Sequence, residues 1–173
     1  MGLETYIFKS KKEDLWAKCQ EIEHARQQAF SKAMHTPIGV MLFDSQMNYM
    51  EKLNPDIEWV KFNHITAWFA EKVFDNPKGE ISANIGFITK DNLVALRKDC
   101  KKVLERCVMP DGKLKIDEKY CKKKFPYLDM AFSGSTEYDE WFIEEIKIAM
   151  QDIDKLLLTA HNPDLLFILY ADF

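Results

Sequence analysis

The sequence predicts a helix-rich α+β fold, with about four main helices around a small mixed or antiparallel sheet that includes both terminal strands. Three observations lead there. Apolar residues recur at three- and four-residue steps in four long stretches, at about 12–34, 57–74, 90–107 and 137–160. Short β-rich runs, LETYIF at Leu3–Phe8 and LLFILY at Leu165–Tyr170, lie near the two ends of the chain. The 173 residues, 47% of them hydrophobic and 13% aromatic, can bury one substantial core, and nothing in them resembles a long linker. A single domain over 1–173 is expected.

In chain order, Leu3–Phe8 partly alternates, and the almost wholly apolar Leu165–Tyr170 is a suitable partner for it in one sheet. Between 12 and 34, Leu15, Cys19, Ile22, Arg26, Ala29 and Ala33 share a helix face supported by Trp16 and Phe30, and Pro37 ends the helix. Ile38–Phe43 has the composition of a second strand or a buried extended run, and Gln46–Asp56 reads as a loop with a short turn. Asp56 stands where it can N-cap a helix running from Ile57 to Phe74. Trp59, Phe62, Thr66, Phe69 and Val73 form the main face of that helix, with Val60, His64, Ala67 and Trp68 on a second, semi-apolar side. A helix apolar on two sides is expected to be sandwiched inside the domain, with Trp68 stacking on His64 one turn earlier.

Asn76, Pro77 and Gly79 mark a loop before a strand at Ile81–Ile88 that Gly86 interrupts. Thr89 then caps a helix over Lys90–Cys107 whose buried stripe is Leu93, Leu96, Cys100, Val103, Leu104 and Cys107. Pro110-Asp111-Gly112 is a turn, because proline fixes φ and glycine accepts the conformation that completes the reversal. The next run, Lys113–Phe125, is basic, with Lys122, Lys123 and Lys124 adjacent.

The most informative stretch runs from Ala131 to His161. Ser135 and Thr136 are good N-cap residues, and Glu137, Asp139 and Glu140 place carboxylates where a helix dipole is most positive. From there Tyr138, Phe142, Ile146, Ala149, Met150, Ile153, Leu156, Leu157 and Ala160 share one side of a helix. At about 100° per residue Asp139 falls near the edge of that stripe, while Glu140 points away from it and Trp141 flanks it. Asp139 is therefore the carboxylate expected to be partly buried, either as a cap of its own first turn or as a functional group.

Twenty-four basic against 28 acidic residues, a net charge of −4, argue against nucleic-acid binding. No apolar run approaches the roughly 20 residues that cross a bilayer, so no membrane association and a cytoplasmic location are expected. Cys19, Cys100, Cys107 and Cys121 are too widely spaced for a metal knuckle and are read as reduced thiols; no metal is indicated, and the sequence leaves any cofactor unknown. The lysine run beside Tyr120, Phe125 and Tyr127 is the best local candidate for an anionic partner, although a solvated loop explains it equally well. His64 invites a catalytic reading because histidine is a common acid–base residue, but no serine or cysteine stands at a spacing that forces a triad.

Four blocks carry a likeness: Met1-Gly2-Leu3 with Tyr6, WVKFNHITAWF at Trp59–Phe69, LRKDCKKVL at Leu96–Leu104, and FSGSTEYDEWF at Phe132–Phe142. Together they resemble an uncharacterised family of small bacterial and phage proteins with an MGLDMYL start and W-R-K-x-N-x-I-H-x-W-F and G-S-T-x-Y-D-E-W-Y blocks. The resemblance implies Trp59, Lys61, Asn63, Trp68, Ser135, Thr136, Tyr138, Asp139, Glu140 and Trp141 as shared positions. The family's histidine falls here at Thr66 and its arginine at Val60, which weakens an enzymatic reading of this chain.

The function expected from these readings is that of a non-enzymatic binding or interaction protein of bacterial or phage origin. Its contact surface is a polar corner of Lys61, Asn63, Ser135, Thr136, Tyr138, Asp139, Glu140 and Trp141, facing a protein partner or a small anionic ligand. The alternative is a small hydrolase or nucleotide-processing enzyme with Asp139 or Glu140 as base or metal ligand, which requires further carboxylates or a histidine to converge there. The corner also requires a polar group of the Trp59–Phe69 segment within hydrogen-bond reach of Asp139.

Overall fold

A computed structural model describes residues 4–34, 50, 52–74, 84–129, 134–159 and 165–172. Four strands, β1 (Glu4–Lys11), β2 (Ile57–Val60), β3 (Asn84–Ile88) and β4 (Leu165–Asp172), form an antiparallel sheet in the order β2-β1-β4-β3. Among the described residues there are five α-helices: α1 (Leu15–Met34), α2 (Asn63–Lys72), α3 (Lys90–Cys107), α4 (Glu118–Lys124) and α5 (Glu140–Thr159). The helix-rich α+β architecture and the pairing of the first and last strands are as the sequence predicts.

Strand β4 can be almost wholly apolar because it is central and covered on both faces. Tyr6, Phe8, Ile168 and Tyr170 pack with Ile22 and Ala25 of α1 on one side. Ile7, Ile57, Trp59, Phe167, Leu169 and Ala171 face α2, α3 and α5 on the other. Helices α3 and α5 lie against each other, their apolar stripes inward and an Arg97–Asp154 ion pair spanning them. Cys100, Cys107 and Cys121 are buried and Cys19 is half-buried, all four as free thiols.

Several elements depart from the sequence reading. The expected helix over Ile57–Phe74 is two elements. Ile57 and Trp59 point inward and Glu58 and Val60 outward, a two-residue period that builds β2 against β1. Lys61, at φ 61°, then reverses the chain and α2 starts at Asn63. Trp59 satisfies both periods, so spacing alone does not separate them. Asp56 consequently caps no helix; it accepts a hydrogen bond from the Lys9 amide at 2.7 Å and pairs with the Lys9 ammonium at 2.8 Å.

Strand β1 continues to Lys11, and a short 3-10 turn at Lys12–Asp14 precedes α1. Trp16 does not support the core face of α1; it is 74% exposed. Helix α4 has no counterpart in the sequence reading. Asp117, accepting from the Tyr120 amide at 3.1 Å, caps it and places the lysine run on a helix. Thr89 caps α3 as expected, reciprocally with Asn92 in a capping box. The strand-like Ile38–Phe43, residues 81–83 and, within the Gln46–Asp56 run, residues 46–49 and 51 lie outside the described residues, as do His35 and His161.

Candidate functional site

The two most specific sequence blocks meet. Gly134, at φ 98°, lies so close to the chain at Lys61 that a Cβ on it would run into the Lys61 carbonyl oxygen. Only a glycine combines that conformation with that approach. One residue after the β2–α2 turn, the buried Asn63 side chain clasps the backbone of Leu128. Its Nδ2 donates to the Leu128 carbonyl at 3.0 Å, and its Oδ1 accepts from the Leu128 amide at 2.7 Å. Asn63 thus holds the segment between α4 and α5 against the start of α2.

The following residue, His64, is fully buried, and its ring is enclosed by Tyr138 (4.8 Å between centroids), Phe142 (4.7 Å) and Tyr127 (6.4 Å). This corrects the expected stacking on Trp68, whose indole instead donates to Asp99 at 3.3 Å. The Tyr138 hydroxyl donates to the Phe125 carbonyl at 2.7 Å. Burial, followed by the neighbouring Tyr127, pushes that phenol well above its ordinary pKa. It is a neutral hydrogen-bond donor here and not a base.

Glu145 reaches this box from α5, with Oε2 at 3.6 Å from His64 Nδ1. That separation is too long for a hydrogen bond. Among the described residues, neither His64 ring nitrogen nor Glu145 Oε2 has a hydrogen-bond partner. A desolvated ion pair loses about 3–5 kcal/mol when one partner is removed. The long His64–Glu145 separation leaves little to lose, and Glu145, with 18% of its side chain exposed, can turn to water. His64→Phe is therefore expected to change the unfolding free energy by less than about 1 kcal/mol in urea titrations. A loss of about 3 kcal/mol or more would identify a working ion pair.

The expected corner around Asp139 does not form as predicted. Asp139 is half-buried, and its Oδ1 accepts from the Phe142 amide at 3.0 Å, capping α5. Its hydrogen bonds among the described residues stay within its own helix start, and none comes from the Trp59–Phe69 segment. Helix α5 accordingly begins at Glu140, with Asp139 as N-cap in place of Ser135 or Thr136. Ser135 is exposed and turns its hydroxyl to the Glu137 amide at 3.1 Å, and Thr136 is half-buried. Lys61 and Glu140 are exposed, and Trp141 is 71% exposed.

Leu128 and Glu145 are the junction residues that sequence reasoning missed, and Tyr127, read as a flank of the basic run, belongs to the junction as well. Glu145 carried only one signal, a carboxylate beside the apolar stripe of α5. The position where the resemblance places a histidine, Thr66, is buried and shares a 2.7 Å hydrogen bond with Thr5 of β1. It is a packing position between helix and sheet.

Among the described residues no cluster of three or more His, Cys, Asp or Glu side chains could hold a metal ion. Nor, among them, is any helix long and apolar enough to cross a membrane. In the basic run, Lys124 is bound to Asp99 at 2.8 Å, while the exposed Lys122 places its ammonium 5.4 Å from the centre of the Tyr127 ring. The chain matches no protein-family model, no curated protein and no solved structure.

Proposed function

We propose that this chain is a non-enzymatic interaction protein of bacterial or phage origin, and that the first two turns of α5 are the surface it offers to a protein partner. The origin rests on the sequence resemblance. The surface rests chiefly on one observation: Trp141, 71% exposed, projects from the same junction in which Asn63, Tyr138 and Asp139 are used internally. Tryptophan supplies the largest apolar contact per residue and is enriched where interfaces concentrate their binding energy.

The surroundings narrow the partner's chemistry. Glu137, Glu140 and Glu144 are all exposed and flank Trp141 in sequence and along the helix, and Ile148, also exposed, follows seven residues later on the same side. An apolar pocket with a basic rim complements this pattern. A small anion fits less well, since it would approach the Glu137 and Glu140 carboxylates and a Glu144 already paired with Lys147 at 3.0 Å. The hydrolase alternative has less support, because Asp139 is committed to capping α5 and Glu140 is exposed at the helix start.

Gentle affinity purification from the native cells, read by native mass spectrometry, tests this. The wild type is expected to retain a stoichiometric second protein, and Trp141→Lys to lose it at least tenfold with an unchanged melting temperature. Retention of a metal or small molecule by the wild type, or equal partner retention by Trp141→Lys, would sink the reading.

A further inference from the structure

Cys107, the last residue of α3, and Cys121, in the middle of α4, place their sulfur atoms 3.4 Å apart, and both are fully buried. A disulfide has its sulfurs at about 2.0 Å, so a small rotation of the two side chains separates contact from bond. The other thiols are placed differently. Cys100 is buried on the stripe of α3, and Cys19 packs on the α1 side of the sheet. We propose that Cys107 and Cys121 are an oxidisable pair, and that a peroxide converts them to a disulfide that staples α4 to the end of α3.

The connecting segment is already shaped for this closure. Val108 and Leu114 form a β-bridge, the Lys115 amide donates to the Cys107 carbonyl at 2.8 Å, and the Met109 amide donates to the Lys113 carbonyl at 2.8 Å. Arg106 grips Asp117 through Nε at 3.1 Å and Nη2 at 3.0 Å, closing the segment at its far end. Burial, followed by the neighbouring Cys107, raises the Cys121 thiol well above its ordinary pKa, so little thiolate exists in the closed fold. Oxidation therefore proceeds through local opening of residues 108–117, of which Met109, Lys115, Ile116 and Asp117 line a cleft of about 520 Å³ with Arg106 and Glu118.

The chemistry balances with one peroxide per pair. One thiolate attacks a peroxide oxygen, the O–O bond breaks, and a sulfenic acid and one water form. The second thiolate attacks that sulfur and expels hydroxide, which takes the remaining thiol proton as a second water. Two thiols are oxidised to one disulfide, and the peroxide is reduced to two waters.

The test uses the whole chain treated with hydrogen peroxide, then denatured, alkylated and mapped by mass spectrometry. The expected product is a dithiothreitol-reversible link between the Cys107 and Cys121 peptides, with Cys100 still alkylated. The melting temperature should rise by roughly 5–10 °C, as for closing a loop of about 15 residues. Arg106→Gln, which frees the segment, should speed closure several-fold without changing the partners. The proposal is overturned if Cys107 and Cys121 both remain alkylatable after Cys19 has been oxidised. It is equally overturned if either pairs with another cysteine, or if the linked form melts lower than the reduced one.

Discussion

Gly134→Ala is expected to cost roughly 3–5 kcal/mol and to lower the melting temperature by about 10 °C. Two penalties combine. Alanine at φ 98° is strained in itself, and its methyl group would meet the Lys61 carbonyl, a backbone atom fixed between β2 and α2. Gly86→Ala is the internal comparison. There the new methyl would meet the ring of Phe74, a side chain that can rotate away, so about 1–2 kcal/mol is expected. Thermal melts of the two variants side by side measure the difference. If Gly134→Ala melts no lower than Gly86→Ala, the contact between the two sequence blocks is not the rigid joint inferred here.

Asn63→Ala should be comparably damaging, by roughly 2–5 kcal/mol. The Leu128 amide and carbonyl would both lose their Asn63 partner in a site closed to water. Asn63→Asp separates the two bonds: the carboxylate can still accept from the Leu128 amide, but it presents an oxygen to the Leu128 carbonyl. It should therefore remain well below wild type in urea unfolding. Hydrogen exchange provides a local readout, since the Leu128 amide should exchange faster in Asn63→Ala by more than the global loss of stability explains. Unchanged exchange at Leu128 would mean that the clasp is not what holds this segment.

The sequence was most legible where one physical signal dominated. The stripes of α3 and α5, the Thr89 cap and the pairing of the end strands follow from periodicity, capping chemistry and apolar runs. It misled where one residue served two periods, as Trp59 does, and where a turn depends on a residue such as Lys61 taking a positive φ. The junction was legible only in part. The likeness singled out both blocks, but pairwise geometry decides which side chains meet, and no spacing along the chain links His64 to Glu145 or Asn63 to Leu128. Asp139 drew attention as a carboxylate near an apolar stripe, and its helix-capping bond accounts for that position.

The order of strands in the sheet sets a timetable for folding. β1 is synthesised early, yet its longest partner is β4, with Glu4 opposite Asp172 and Lys11 opposite Leu165. Among the described residues β3 touches the sheet only through β4. Until β4 emerges, the partner of β1 among the described residues is the four residues of β2, and β3 has none among them. A nascent chain at that stage exposes the apolar faces of both strands to its surroundings. Completion is thus a long-range event of the kind that slows folding.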